Sequence, residues 1–300
     1  MNYNKAATSK LNSLKKITFE QTDIKYEENV LLYIENSKLF YNADKIYSED
    51  GKNLKDLLRV IRIIDPLDLR YECTNVLVPR VIAENHTLIP QHISVQSLFF
   101  HKVSSFNLEK LKKIILSTNY NKTAYDNMWI GHERSLSSLK ENDLIYLMSR
   151  RTGGWDGSIE RPVIELLCSG GHLPTVWDAQ TKSFKTLDPT ELLTKEIGEE
   201  LGISISPEQI VQLGGFHNEV SNELVILCAL FVDYNQLMDM IKNSKGNVSE
   251  NIDGIYMGIF EDVMNLYDLN PNFFAGGEKA KSSNFPSNSK LMKKIKKILK

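Results

Sequence analysis

Cysteine is scarce in this 300-residue chain: Cys73, Cys168 and Cys228 lie far apart and form no Cys-x-x-Cys. That offers no disulfide framework and reads as reduced core thiols of an intracellular protein. Long apolar runs are missing as well. The longest, Val225–Val232, is far too short to cross a bilayer. Met1–Lys16 is polar and lysine-bearing with no apolar core segment, so it does not read as a secretory signal. A cytoplasmic protein without a membrane partner is the expectation. Excess charge is absent too: 36 Lys and Arg against 38 Asp and Glu give a net charge of −2. No general pull toward nucleic acid or anionic lipid follows, and no nucleic-acid partner is expected. What the chain does have is 42% hydrophobic residues, enough for a sizeable core. Its length fits one large or two medium domains.

The most informative stretch is Asp188 to Ile203. Asp188 is a good N-cap, Pro189 suits the first helical position, and Glu191 completes a capping box. Gly202 suits a left-handed C-cap. Leu193, Ile197 and Leu201 recur every four residues and predict one apolar stripe. Glu196, Glu199 and Glu200 crowd another face at i, i+3 and i+4, where like charges repel. Lys195 is the counter-charge nearest in sequence. A hard divalent cation turns that repulsion into coordination, since Mg²⁺ favours carboxylate oxygens and phosphates. The plain alternative is a solvated acidic face.

The flanks favour coordination. Lys195-Glu196-Ile197-Gly198-Glu199-Glu200-Leu201-Gly202-Ile203 resembles the second half of the Nudix box. Upstream, Ser169-Gly170-Gly171-His172 is similar to the Gly-Gly turn that opens it. The departures are lysine in place of the family's arginine and no first glutamate, with Glu191 or Asp188 as substitutes. There is also an insertion containing Pro174, Trp177 and Asp178 between Gly171 and Leu187. Lysine lacks the forked donor with which arginine orients carboxylates.

The resemblance implies a Nudix-type α/β/α sandwich with a mixed sheet over residues 127–300; strand and helix patterns before it read as a separate α+β domain over 1–126, so the protein is expected to be α+β. The resemblance also implies Mg²⁺-dependent hydrolysis of a pyrophosphate bond in a nucleoside diphosphate-linked small molecule, with Mn²⁺ as a substitute ion. The metal ligands it implies are Glu196, Glu199, Glu200 and the Gly171 carbonyl. Glu199 or Glu196 then handles the water, and Lys195 holds the arrangement. Gly170, Gly171, Arg150 and Arg151 face the substrate; paired arginines at a strand end either meet phosphate or simply face solvent. The rival reading is a non-catalytic nucleotide-binding module that regulates a partner through the first domain. An isoprenoid diphosphate isomerase shares the fold, but its cysteine and acidic motifs have no convincing counterpart here.

Along the rest of the chain, strands are expected at Lys16–Glu20, Asn29–Ile34 and Lys38–Tyr41. Leu54, Leu57, Leu58, Ile61 and Ile64 have helical spacing, stopped by Pro66. Extended segments follow around Asn75–Ile82 and Ile93–Phe100, then a helix at Asn107–Ser117. Asp143–Arg151 and Arg161–Ser169 read as strands around a turn-rich loop containing Trp155. Gln209–Phe216, Glu223–Tyr234 and Asp253–Phe260 read as further strands. A short helix through Asp262–Leu266, a surface loop and a basic amphipathic helix at Lys290–Lys300 close the chain. His86, His92 and His101 show no metal-ligand spacing and read as ordinary histidines. The first domain is expected to line the substrate entrance or to mediate a homodimer.

Overall fold

The computed structural model describes residues 31–32, 40–42, 45–47, 57–79, 91–117, 129–130, 138–151, 163–166, 169–178, 180–181, 183–219, 221–243, 252–274 and 288–299. The strand expected at Lys16–Glu20, the Trp155 loop, His86, Cys168 and the expected boundary at residue 126 lie outside them. The chain has mixed α+β content. It divides into two compact units: residues 1–94, 172–188 and 217–225, and residues 95–171, 189–216 and 226–300.

In chain order, β1 is Leu31–Leu32, β2 Phe40–Asn42, β3 Lys45–Tyr47, β4 Leu57–Asp65, β5 Arg70–Pro79 and β6 His92–Lys102. Helix α1 covers Leu108–Ser117. Strands β7 (Leu144–Arg151), β8 (Val163–Glu165), β9 (Ser169–His172), β10 (Pro174–Asp178) and β11 (Ser183–Thr186) follow. Helix α2 is Pro189–Leu201, then β12 is Ile210–Asn218 and β13 Glu223–Val232. The chain continues through α3 (Tyr234–Asn243), β14 (Ile252–Ile259), α4 (Phe260–Leu269) and α5 (Ser289–Ile298).

The first unit is built on a mixed sheet in the order β1-β5-β4-β10-β11, with β1 parallel to β5 and the other pairs antiparallel. Here the helix expected around residues 54–64 is corrected: Leu57–Asp65 is a strand. Val60, Ile61, Ile63 and Ile64 are β-branched, which favours a pleated ribbon over a helical turn. Its hairpin with β5 turns through residues 66–69, with Leu69 at a left-handed φ of 52°. Asp65 Oδ1 accepts from the backbone N–H of Leu67 at 3.1 Å, and its Oδ2 accepts from Arg70 at 3.0 Å. Gln91 accepts from the Ile61 N–H through its carbonyl and from the Ile63 N–H through its side chain. The insertion after Gly171 forms the β10–β11 hairpin, whose Pro174 and Thr175 pair with Leu58 and Leu57.

The second unit holds most of a larger sheet in the order β12-β13-β6-β7-β14, with β8 on β7 and β9 on β6. Residues 92–94, 172, 217–218 and 223–225 of these strands count with the first unit. Residues 95–117 count with the second. Its largely aliphatic core contains an aromatic cluster. Phe100 stands 5.4, 5.9 and 5.6 Å from the rings of Tyr146, Phe231 and Phe260, and Tyr146 meets Phe260 edge-on at 5.2 Å. Such pairs add about 0.5–1.5 kcal/mol each beyond simple burial. The Tyr146 hydroxyl donates to the Leu166 carbonyl. The basic C-terminal helix packs on its own unit: Leu291 and Ile295 are fully buried, and Lys296 reaches Glu261 at 3.3 Å. No described helix is long and apolar enough to cross a membrane.

Two further expectations change. Arg161–Ser169 is not one strand: β8 ends at Glu165, and Ser169–His172 is itself a strand rather than a turn. Beyond β13, Tyr234–Asn243 is a helix the sequence reading did not anticipate.

Candidate functional site

Helix α2 forms over the residues its local signals mark out. Leu193, Ile197 and Leu201 are completely buried and Leu192 nearly so, so one aliphatic face anchors it. Each such side chain contributes about 1.5–3 kcal/mol by leaving water. Gly202 ends the helix at a φ of 65°, a left-handed conformation that glycine adopts without steric cost.

With that face anchored, the acidic residues fall elsewhere on the cylinder. Glu199 is exposed, and Glu196 and Glu200 are half-buried. Lys195 Nζ stands 3.9 Å from Glu196 Oε1 and 3.7 Å from Glu199 Oε2, so one ammonium offsets part of the charge of two carboxylates. The donor set of Glu196, Glu199, Glu200 and the Gly171 carbonyl is all oxygen, which fits the coordination chemistry of Mg²⁺. The three carboxylates are not already gathered: among the described residues, the group of three whose ligand atoms lie within 4.8 Å of one another is a different one. Convergence on one ion requires these side chains to rotate.

Gly170 and Gly171 lie on β9. A β-carbon at Gly170 would collide with the Val95 carbonyl and stand 2.9 Å from Gln96 Cα, so the strand approaches β6 as only glycine allows. Among the described residues, nothing lies within 4 Å of the same position at Gly171. Arg150 and Arg151 end β7, opposite Ile164 and Val163 of β8.

A second constellation lies in the first unit. His92 begins β6, His172 ends β9 and Glu223 begins β13. His92 Nε2 is 3.0 Å from His172 Nδ1, and Glu223 Oε1 is 3.6 Å from the former and 3.9 Å from the latter. Ser94 Oγ donates to Glu223 Oε2 at 2.8 Å. Burial raises the Glu223 carboxyl, but the adjoining His92 ring, the charge of His172 and the Ser94 hydroxyl outweigh it and hold the group below its ordinary value. His92 is fully buried, so of the two readings, surface or core, it takes the core one. Sequence reasoning missed the grouping because no local spacing connects its members.

No protein-family model and no curated protein matches the chain. Among solved structures, it is similar at 11% identity to the T. brucei MERS1 protein in its apo form, covering 58% of this chain and 60% of that one, with a TM-score of 0.30. The MERS1–RNA complex gives 11% identity, 68% and 62% coverage and a TM-score of 0.33. The MERS1–GDP complex gives 11%, 67% and 60%, and 0.31. The chain therefore spans about three fifths of the length of these solved chains. At such TM-scores the likeness carries no argument about function.

Proposed function

We propose that the chain is a cytoplasmic Nudix-type pyrophosphohydrolase, with the α2 region set in an α/β/α arrangement, acting on a nucleoside diphosphate-linked small molecule with Mg²⁺. The observation that supports this reading is the division of labour on α2. Buried Leu193, Ile197 and Leu201 fix the helix, and Glu196, Glu199, Glu200 and Lys195 are left on its other faces. In this reading Glu196, Glu199, Glu200 and the Gly171 carbonyl hold the ion. Bound magnesium supplies positive charge at the pyrophosphate and polarises a phosphoryl oxygen. Glu199 or Glu196 positions the attacking water and takes its proton. Lys195 keeps the carboxylates from splaying apart, and Arg150 and Arg151 meet phosphate oxygens through their planar forks.

The test is a panel of ADP-ribose, nucleotide sugars, dinucleoside polyphosphates and nucleoside triphosphates, incubated with Mg²⁺ or Mn²⁺ and followed by product identification. The wild type should cleave at least one of them. Glu200→Gln should keep its unfolding midpoint and lose turnover. Undiminished turnover in that variant sinks the assignment. Thermal stabilisation by a nucleotide without any product over long incubation would instead support a non-catalytic binding module.

A further inference from the structure

We propose that His92, His172 and Glu223 bind one divalent transition-metal ion of the zinc class, a site distinct in residues and in chemistry from the carboxylates of α2. It does not rest on the pyrophosphohydrolase reading. The three ligand atoms form a triangle with sides of 3.0, 3.6 and 3.9 Å. The point equidistant from all three corners of that triangle lies about 2.05 Å from each, within the zinc–nitrogen and zinc–carboxylate bond range of about 2.0–2.2 Å. An ion at or just above that plane stands within bonding distance of all three atoms.

Proton sharing alone accounts for less of this geometry. One imidazole can donate to the other at 3.0 Å. Glu223 Oε1 then stands 3.6 and 3.9 Å from the two nitrogens, ion-pair separations longer than an ordinary hydrogen bond. A cation at the centre stands within bonding distance of the carboxylate oxygen and of one nitrogen of each ring.

The donor set selects the ion. Two imidazole nitrogens and one carboxylate oxygen suit zinc, and ferrous iron shares that preference, whereas magnesium favours oxygen throughout. Ser94 takes the role of an outer-shell partner: by holding Oε2 at 2.8 Å it fixes which carboxylate oxygen turns toward the rings. The ligands stand at three strand ends, and the Leu173 N–H donates to the Ile93 carbonyl at 2.9 Å, tying the residues after His172 and His92 together. His172 and Glu223 side chains are each 12% exposed, against 1% for His92. Three protein ligands leave a fourth position for water or an exogenous group on the exposed side.

The full-length chain, stripped with chelator, is titrated with Co²⁺ as a spectroscopic probe and then with Zn²⁺. One equivalent of cobalt should give visible d–d absorption that one equivalent of zinc removes. His172→Gln and Glu223→Gln should abolish the band. Ser94→Ala should weaken binding by roughly 10- to 100-fold. Glu200→Gln should leave the band in place, so this site and the proposed α2 site fail or succeed independently. Should the ligand variants not fold, the wild type gives its own check: the ring-proton resonances of two of the six histidines should respond to one equivalent of zinc. Absence of the cobalt band, its persistence in both ligand variants, or histidine resonances indifferent to zinc would overturn the proposal.

Discussion

The carbonyl oxygen of Val95 occupies the space a β-carbon on Gly170 would need. The obstacle is backbone, which cannot step aside as a flexible side chain can. Gly170→Ala should therefore push β9 away from β6 and lower stability by roughly 1–3 kcal/mol. Gly171→Ala, with no atom of the described residues within 4 Å of the new methyl, should stay within about 0.5 kcal/mol of the wild type. Denaturant unfolding of the two variants side by side measures the contrast, and equal losses would refute it.

Lys195 tests whether α2 works chemically or only structurally. Its ammonium is 63% exposed and lies 3.7 to 3.9 Å from its partners, so the ion pairs are worth little to folding. Lys195→Met should change stability by less than about 1 kcal/mol. Turnover should fall much further, because the carboxylates lose the cation that holds them. A thermal melt and a rate, taken on one preparation, separate the two effects.

Tyr146 is wholly buried and its hydroxyl donates to the Leu166 carbonyl. Tyr146→Phe preserves the ring contacts with Phe100 and Phe260 but strands that carbonyl away from water. The expected loss is about 1–3 kcal/mol in denaturant unfolding. An unchanged unfolding midpoint would mean that Leu166 finds another donor.

Acid should weaken the second unit through His101. Its Nδ1 donates to the Val232 carbonyl at 2.9 Å, so Nε2 of the neutral ring accepts from Asn107 Nδ2 at 3.0 Å. Burial depresses the ring's pKa, outweighing the Val232 carbonyl and the charge of Asp233. The unfolded chain therefore binds more protons between the folded value and the ordinary one near 6.5. The contribution is complete above the unfolded pKa and is lost as pH falls through the folded one. Urea unfolding from about pH 8 to 5 should show stability declining with acid, and His101→Gln should flatten that slope.

How much of this was legible in the sequence depended on how local the signal was. Helix α2 carries its own start, stripe and stop, and its bounds follow from Pro189, Leu193 and Gly202. Helix α1 and strands β7 and β14 also form close to where their patterns place them. Strand β4 misleads because its leucines and isoleucines fit a helical stripe as well as a ribbon. Its β-branched residues tilt the balance to the ribbon, and its antiparallel pairing, Arg62 opposite Glu72 and Ile63 opposite Tyr71, decides it. Helix α3 follows directly on the apolar run of β13, which hid where the strand stops. His92 and His172 are 80 positions apart, and only the fold brings their nitrogens together.

The first unit is threaded through the chain in three lengths, residues 1–94, 172–188 and 217–225. It cannot be trimmed off at one cut. A chain beginning at Val95 would retain the β10–β11 ribbon without the strand that Pro174 and Thr175 pair with. It would also keep His172 and Glu223 while discarding His92 and Ser94. Truncation here severs one fabric in several places, so the unit must be interrogated by point substitution in the intact polypeptide.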